Sequence, residues 1–266
     1  MGTARPLVRI EAATLAGSDN NQDRYAYSDG WAFVLDGATS YSDAPPVHDG
    51  GWYAERLKNA LAPRLTKYPD RSTVDIVADS IREATSAHHP SQGPCPTSTI
   101  ALARWDTDQV ELYVLGDSYA CALTGDGPVI LTDDRIKQFG KGLRTEYRRR
   151  LREGHGFDDR HREILQALQR VEAAHRNRAS GYWIAGDLPS AAVRGRRKAW
   201  PTHSVAAMTL ASDGAPPGIT FSHSKELSQC LETRARLELA DPLGISAPRS
   251  KKHDYKTLVT ISIWTG

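Results

Sequence analysis

Cysteine is scarce in this chain: Cys95, Cys121 and Cys230 are the only three among 266 residues. Their number is odd, their spacing is wide and no Cys-x-x-Cys pair occurs, so neither a zinc ribbon nor a disulfide framework is indicated. A reducing, cytoplasmic setting is the expectation. Long apolar runs are also missing. No stretch approaches the roughly 18 apolar residues of a membrane span, so no membrane partner is expected. The first ten residues carry two arginines and a proline and lack the apolar core of a signal peptide. A charge excess is absent too: the formal net charge is +2, which singles out no partner. No zinc finger or RNA-reading motif accompanies the basic residues, so no nucleic-acid partner is expected. Internal repeats and low-complexity linkers are lacking as well.

What remains is an ordinary composition, 39% hydrophobic and 25% charged. The length suits one sheet-based domain over 1–266. Leu7 to Leu15 reads as a strand entering a loop over 17–21, and short strands Arg24 to Ser28 and Trp31 to Leu35 flank the turn Asp29-Gly30. A proline pair, Pro45-Pro46, precedes two helices, over about 51–65 and 74–88. Strands follow at Thr99 to Trp105, Val110 to Val114, Tyr119 to Thr124 and Val129 to Leu131, the second with strict period-two alternation. From about 133 to 180 the chain turns polar, basic and helical, with Ile164, Leu168, Val171 and His175 on one face. Strands resume at Tyr182 to Ile184 and Val205 to Leu210, a helix covers about 225–240, and Thr257 to Trp264 is a β-branched strand. This order of strands, helices and strands predicts an α+β layered fold rather than a doubly wound parallel sheet.

Several aspartates share one setting. Asp36 ends the run Ala32 to Leu35 and precedes Gly37, Asp117 follows Val114 to Gly116, and Asp213 follows Met208 to Ser212. Asp254 stands just before the last strand, and Asp23 sits in the loop before the second. Carboxylates converging at strand ends repel one another and lose hydration, and a divalent cation relieves both costs. Hard cations such as Mg²⁺ and Mn²⁺ take such oxygen ligands and keep several waters. A lone Asp-Gly is usually a turn, as Asp29-Gly30 and Asp126-Gly127 read here; the strong apolar runs set Asp36 and Asp213 apart.

In order, Asn21-Gln22-Asp23, Val34-Leu35-Asp36-Gly37, Thr97-Ser98-Thr99, Gly116-Asp117-Ser118, Ala211-Ser212-Asp213-Gly214 and His253-Asp254 resemble the motifs of the PPM (type 2C) metal-dependent serine/threonine phosphatases. The likeness runs from about Ala12 to Trp264 and is nearest to divergent bacterial members, where a segment like His48-Asp49-Gly50-Gly51-Trp52-Tyr53 also follows the first Asp-Gly. The resemblance implies an α-β-β-α sandwich of two antiparallel sheets flanked by helices. It implies that Asp36 bridges two cations, that Gly37 offers its carbonyl to one, and that Asp213 and Asp254 ligate the other. Asp23, and Gln22 through water, would hold the cation-bound waters, and Asp117 would take a third, weaker cation. The implied reaction is direct hydrolysis of a phosphoprotein by an activated water, with the segment 133–180 as a basic flap.

The chain also departs from that pattern. Ser18 stands where the family often has a phosphate-gripping arginine, Ala38 where many members have a histidine, and Tyr255 where Asp-Asn is usual. Arg24 and His48 are therefore the candidates for phosphate contact and leaving-group protonation, and the cluster Arg144, Arg148, Arg149, Arg150 and Arg152 for a cationic flap. The three cysteines do not read as the nucleophile loop of a cysteine phosphatase. Two alternatives stand beside the phosphoprotein reading: a phosphatase of small phosphorylated metabolites, and a catalytically weak module that binds phosphoproteins.

Overall fold

The computed structural model describes residues 6–18, 20–43, 46–215 and 224–264. Asp19 of the predicted first loop and Pro45 of the proline pair lie outside them. Ten strands form two antiparallel five-stranded sheets. One sheet holds β1 (Leu7–Leu15), β10 (Lys256–Trp264), β9 (Val205–Ala211), β6 (Tyr119–Thr124) and β7 (Gly127–Thr132), in that order across the sheet. The other holds β2 (Asp23–Ser28), β3 (Trp31–Asp36), β4 (Ile100–Trp105), β5 (Gln109–Leu115) and β8 (Arg196–Pro201). Helices α1 (Gly50–Lys67) and α2 (Thr73–Thr85) cover the outer face of the second sheet, and α5 (Ser224–Ala240) covers the first. This is the α-β-β-α sandwich expected from the sequence.

The apolar runs explain the layers. In β3, Ala32 and Val34 enter the core between the sheets, while Trp31, Phe33 and Leu35 enter the core under α1 and α2. Alternation sends successive residues to opposite faces. With both faces covered, β3 reads as an unbroken apolar stretch up to Asp36, and β4 as one interrupted only by Arg104. Complete burial of side chains such as Phe33 and Leu102 stabilises the layers by roughly 1.5–3 kcal/mol each. On the far side, Leu227 and Leu231 of α5 pack on Tyr119, Ala211 and Leu258. Among the described residues no helix is long and apolar enough to cross a membrane.

Two expectations need correction. Tyr182 to Ile184 is no strand of either sheet; the segment is tied by isolated bridges, Arg176 to Tyr182 and Ser98 to Ala185. Its apolar character comes from burial of Tyr182, Trp183 and Ile184, not from a ladder. Conversely, β8 is an edge strand made of exposed Arg196, Arg197 and Lys198, too polar to signal itself. Cys230 and Arg236 do stand at Cys-x5-Arg spacing, but within α5, so they form no phosphate-cradling loop.

The basic segment contains α3 (Lys141–Arg152) and α4 (Asp159–His175), packed on each other through Tyr147, Leu151, Ile164, Leu165 and Leu168. Helix α4 reaches two loops at once. Gln169 donates to the Thr39 carbonyl at 2.8 Å and accepts from the Tyr41 amide at 3.1 Å, while His161 Nε2 lies 2.9 Å from the Ser250 carbonyl.

The start of α1 is pressed against the end of β3. A Cβ on Gly50 would lie 2.4 Å from the backbone nitrogen and oxygen of Ala38, and one on Gly37 would lie 2.4 Å from the Gly50 backbone. Both contacts are with main chain, which cannot rotate away. Gly50→Ala is therefore expected to lower stability by about 1–3 kcal/mol, the usual cost of forced overpacking. A urea unfolding midpoint equal to that of the unsubstituted protein would show that the helix can shift freely.

Candidate metal centre

Antiparallel pairing brings the aspartates together. Asp23 opens β2 and Asp36 closes β3, and the two are register partners. In the other sheet Ala211 at the end of β9 pairs with both Tyr119 of β6 and Leu258 of β10. Asp213 therefore leaves the sheet between the start of β6, preceded by Asp117, and the start of β10, preceded by Asp254. Asp117 sits where the chain crosses from β5 in one sheet to β6 in the other. Gly116 makes that crossover with φ at +91°, and it lies so close to Thr99 that a Cβ would fall 2.9 Å from Cγ2. The hydroxyls of Thr99 and Ser118 meet there, while the Thr99 amide donates to the Asp36 carbonyl at 2.9 Å.

The charges feel one another. Burial, then Asp23 and Asp213, hold the Asp36 carboxyl well above the usual range. Burial pushes Asp23 up to about 6, with Asp254 adding and the hydroxyls of Ser212 and Thr257 opposing. Surrounding protein, followed by Asp254 and Asp117, also lifts Asp213, although this side chain is open to solvent, which tempers the effect. Asp117 is raised by burial, with Lys137, Glu172 and Arg144 of the basic segment acting on it from above. Asp23 is 4% exposed, and neither of its carboxylate oxygens has a partner at hydrogen-bond distance and angle among the described residues, the Ser212 and Thr257 hydroxyls acting on it from just beyond that geometry. A buried carboxylate with two idle oxygens is costly unless a cation accompanies it.

The donor chemistry suits a hard divalent cation: aspartate oxygens from both sheets. Among the described residues, however, no three His, Cys, Asp or Glu side chains are drawn into a single ligand cluster. Asp254 shows why. Its Oδ1 accepts from Lys251 Nζ at 2.7 Å and from the Tyr255 amide at 3.0 Å. The residues fit a metal in kind, and one of them is held by an internal ammonium.

Other sequence candidates lie nearby with their donors committed. Gln22 accepts from Thr39 at 2.8 Å and donates to Asp49 at 3.2 Å. Asp49 also caps α1, accepting from the Trp52 amide at 2.8 Å. Arg24 is bonded to Glu55 at 2.6 Å and to the Asn21 and Asp23 carbonyls. His48 stacks on Trp52 with ring centroids 3.7 Å apart. In the basic segment Arg144, Arg149 and Arg150 are ion-paired with Glu172, Glu153 and Asp158, and Arg148 lies over the Tyr147 ring. The cationic surface expected from the sequence is thus largely neutralised within the chain. Lys251 and Tyr41 went unnoticed at the sequence level; the Lys251-Lys252 pair just before Asp254 was the available signal, and Asp49 was seen only as part of the His48 to Tyr53 segment. A cleft of about 710 Å³ lies at the other end of β3, lined by Trp31, Arg71 and Arg104, but Arg104 is spent on the Arg71 and Pro69 carbonyls and on Thr73.

Solved structures share this fold over nearly the whole chain. The catalytic domain of the serine threonine protein phosphatase PstP, in complex with two manganese ions, matches with a TM-score of 0.55 at 15% identity, over 98% of this chain and 100% of that one. The PPM Ser-Thr phosphatase MsPP from Mycobacterium smegmatis, in complex with cacodylate, matches at 0.55 and 17% identity, over 96% and 97%. PppA of Pseudomonas aeruginosa, described as a key regulatory component of T6SS, matches at 0.55 and 14%, over 98% and 100%. The chain has the fold of the PPM phosphatases. No family model and no curated protein matches its sequence.

The raised carboxyls carry a pH signature in metal-free protein. A carboxyl whose folded pKa exceeds its unfolded value binds more protons folded than unfolded, so its stabilising effect is complete below the unfolded value. It is lost as pH rises through the folded value. For Asp23 the window runs from about 4, the ordinary aspartate value, to about 6. Thermal melts in chelator should show stability falling across that window, and Asp23→Asn should make the fall shallower. Identical slopes in the two proteins would remove Asp23 from the buried charge cluster.

Proposed function

We propose that the chain is a metal-dependent phosphomonoester hydrolase of the PPM type, taking Mn²⁺ or Mg²⁺ and dephosphorylating phosphoserine and phosphothreonine in proteins. The observation that carries this reading is the delivery of five aspartates to one end of the sandwich by strand ends of both sheets, with the oxygens of buried Asp23 left idle. A non-catalytic phosphoprotein-binding module has no need of such repulsion.

In this reading Asp36, which feels Asp23, Asp213 and Asp254, would hold the cations together with Asp213, Asp254 and the Gly37 carbonyl, and Asp117 would hold a further, weaker ion. Bound cations of this kind supply an activated water at neutral pH and offset charge on phosphoryl oxygens. The chain's part is placement. The Gln22–Asp49 bond fixes the Asp23 loop to the start of α1, and α4 pins the loop after Asp36 to the loop before Asp254. Residues 133–180 form the flap over Asp117, within a single domain spanning 1–266. Lys137, and Arg144 while paired with Glu172, are the flap cations that act on Asp117, and they replace the Arg148–Arg150 run as the flap's contribution. A bacterial, cytoplasmic setting belongs to the same proposal; the free cysteines support it.

A small phosphorylated metabolite is the second reading. It is favoured by the pairing of Arg144, Arg149 and Arg150 within the chain, which leaves less positive charge for an acidic protein surface.

Protein freed of metal by chelation should be inactive on an aryl phosphate and recover with Mn²⁺ or Mg²⁺. Asp36→Asn should lower kcat by at least about 100-fold while the fold persists, comparable with losing one preorganised electrostatic contact at a reaction centre. Full turnover in excess chelator contradicts the reading. Relative kcat/KM on phosphopeptides and phosphometabolites separates the two substrate classes.

A further inference from the structure

An ammonium stands against one of the strand-end carboxylates. Lys251 Nζ lies 2.7 Å from Asp254 Oδ1, and its side chain is 19% exposed. The same ammonium lies 5.0 Å from the centre of the Tyr255 ring, and the Tyr255 hydroxyl is hydrogen-bonded to Ser18 at 2.8 Å. Burial by itself disfavours a charged lysine. Here that effect is outweighed by Asp254, then by Asp36 and Asp213, and the lysine is held in its charged form. Burial pushes the facing Tyr41 up to about 12, so it remains a neutral phenol near neutral pH. Lys251 acts in turn on Asp23, Asp36 and Asp213. Its direct carboxylate partner is Asp254.

The backbone beneath Asp254 has no freedom to retreat. Lys256 Nζ donates to the Asp254 carbonyl at 2.7 Å and to Glu238 at 2.8 Å, an ion pair that is almost fully buried. A Cβ on Gly17 would fall 2.5 Å from the Asp254 carbonyl carbon, and one on Gly214 would fall 2.0 Å from the Tyr255 oxygen. Asp254 is clamped on both sides. Lys251, by contrast, reaches it on a flexible four-carbon stem from a loop whose neighbour Lys252 is exposed. When a second cation approaches Asp254, the lysine is the part that can move.

We propose that Lys251 is the built-in counter-cation of the acidic centre, and that a divalent cation gains Asp254 only by displacing its ammonium. The proposal rests on the metal-centre reading above and goes beyond it. It makes metal uptake an exchange of one internal positive charge for a doubly charged ion. It also explains how the aspartates stay together without metal.

The test is Mn²⁺ titration calorimetry on chelator-treated protein, with thermal melts of the same metal-free samples, for wild type, Lys251→Met and Lys251→Arg. Methionine keeps the bulk of the stem and removes the charge; arginine keeps the charge. Lys251→Met should bind Mn²⁺ about tenfold more tightly, the size of one charge-assisted hydrogen bond no longer to be broken. Its metal-free form should melt roughly 2–4 °C lower, the shift that loss of about 1 kcal/mol produces in a protein of this size. Lys251→Arg should stay near wild type in both. Equal or weaker Mn²⁺ binding by Lys251→Met, with an unchanged melt, overturns the role of Lys251 and leaves the metal centre standing. No Mn²⁺ binding by any of the three overturns the metal centre itself.

Discussion

Mutual repulsion among aspartates at one end of the sandwich is the constraint around which this molecule is arranged. Asp23, Asp36, Asp117, Asp213 and Asp254 arrive on strand ends that pairing fixes in place, and each backbone position is set by ladders extending into an apolar interior. Such a set is stable only with positive charge close by. The protein provides some of that charge itself, through Lys251 on Asp254 and through Lys137 near Asp117, while Arg144 is offset by its partner Glu172. The remaining deficit, with two idle oxygens on Asp23, is what a divalent cation would meet.

Rigidity follows from the same constraint. Gly37 against Gly50, Gly17 against Asp254 and Gly214 against Tyr255 are approaches of main chain to main chain that no side chain could accommodate. They hold the loops of both sheets at close range. Helix α4 adds a clasp from outside, bonding the loop after Asp36 through Gln169 and the loop before Asp254 through His161. The basic segment is therefore part of the frame of the site, and most of its arginines serve internal ion pairs.

Much of this was legible in the sequence, for reasons that differ residue by residue. Asp36 and Asp213 announce themselves because each ends a strong apolar strand, and the order of the short motifs carried the fold. Strand β8 was invisible because an exposed edge of Arg196, Arg197 and Lys198 has no apolar period to detect. Tyr182 to Ile184 misled for the opposite reason: burial makes a segment apolar whether or not it joins a ladder. The flap arginines were seen, but Asp158 and Glu172 are matched to Arg150 and Arg144 only by the packing of α3 on α4, and the Arg149–Glu153 pair, four residues apart at the end of α3, was legible but overlooked. Lys251 escaped notice because a dibasic pair in a polar loop looks like solvated surface, and only the fold turns one of the two inward.

The central claim is that the strand-end aspartates are a divalent-cation site. Diffraction from crystals soaked in Mn²⁺, with anomalous data at the manganese edge, tests it most directly. The account predicts anomalous peaks among Asp36, Asp213 and Asp254, with the Lys251 ammonium moved off Asp254. Strong anomalous density elsewhere, with this cluster empty and Lys251 still on Asp254, would contradict it.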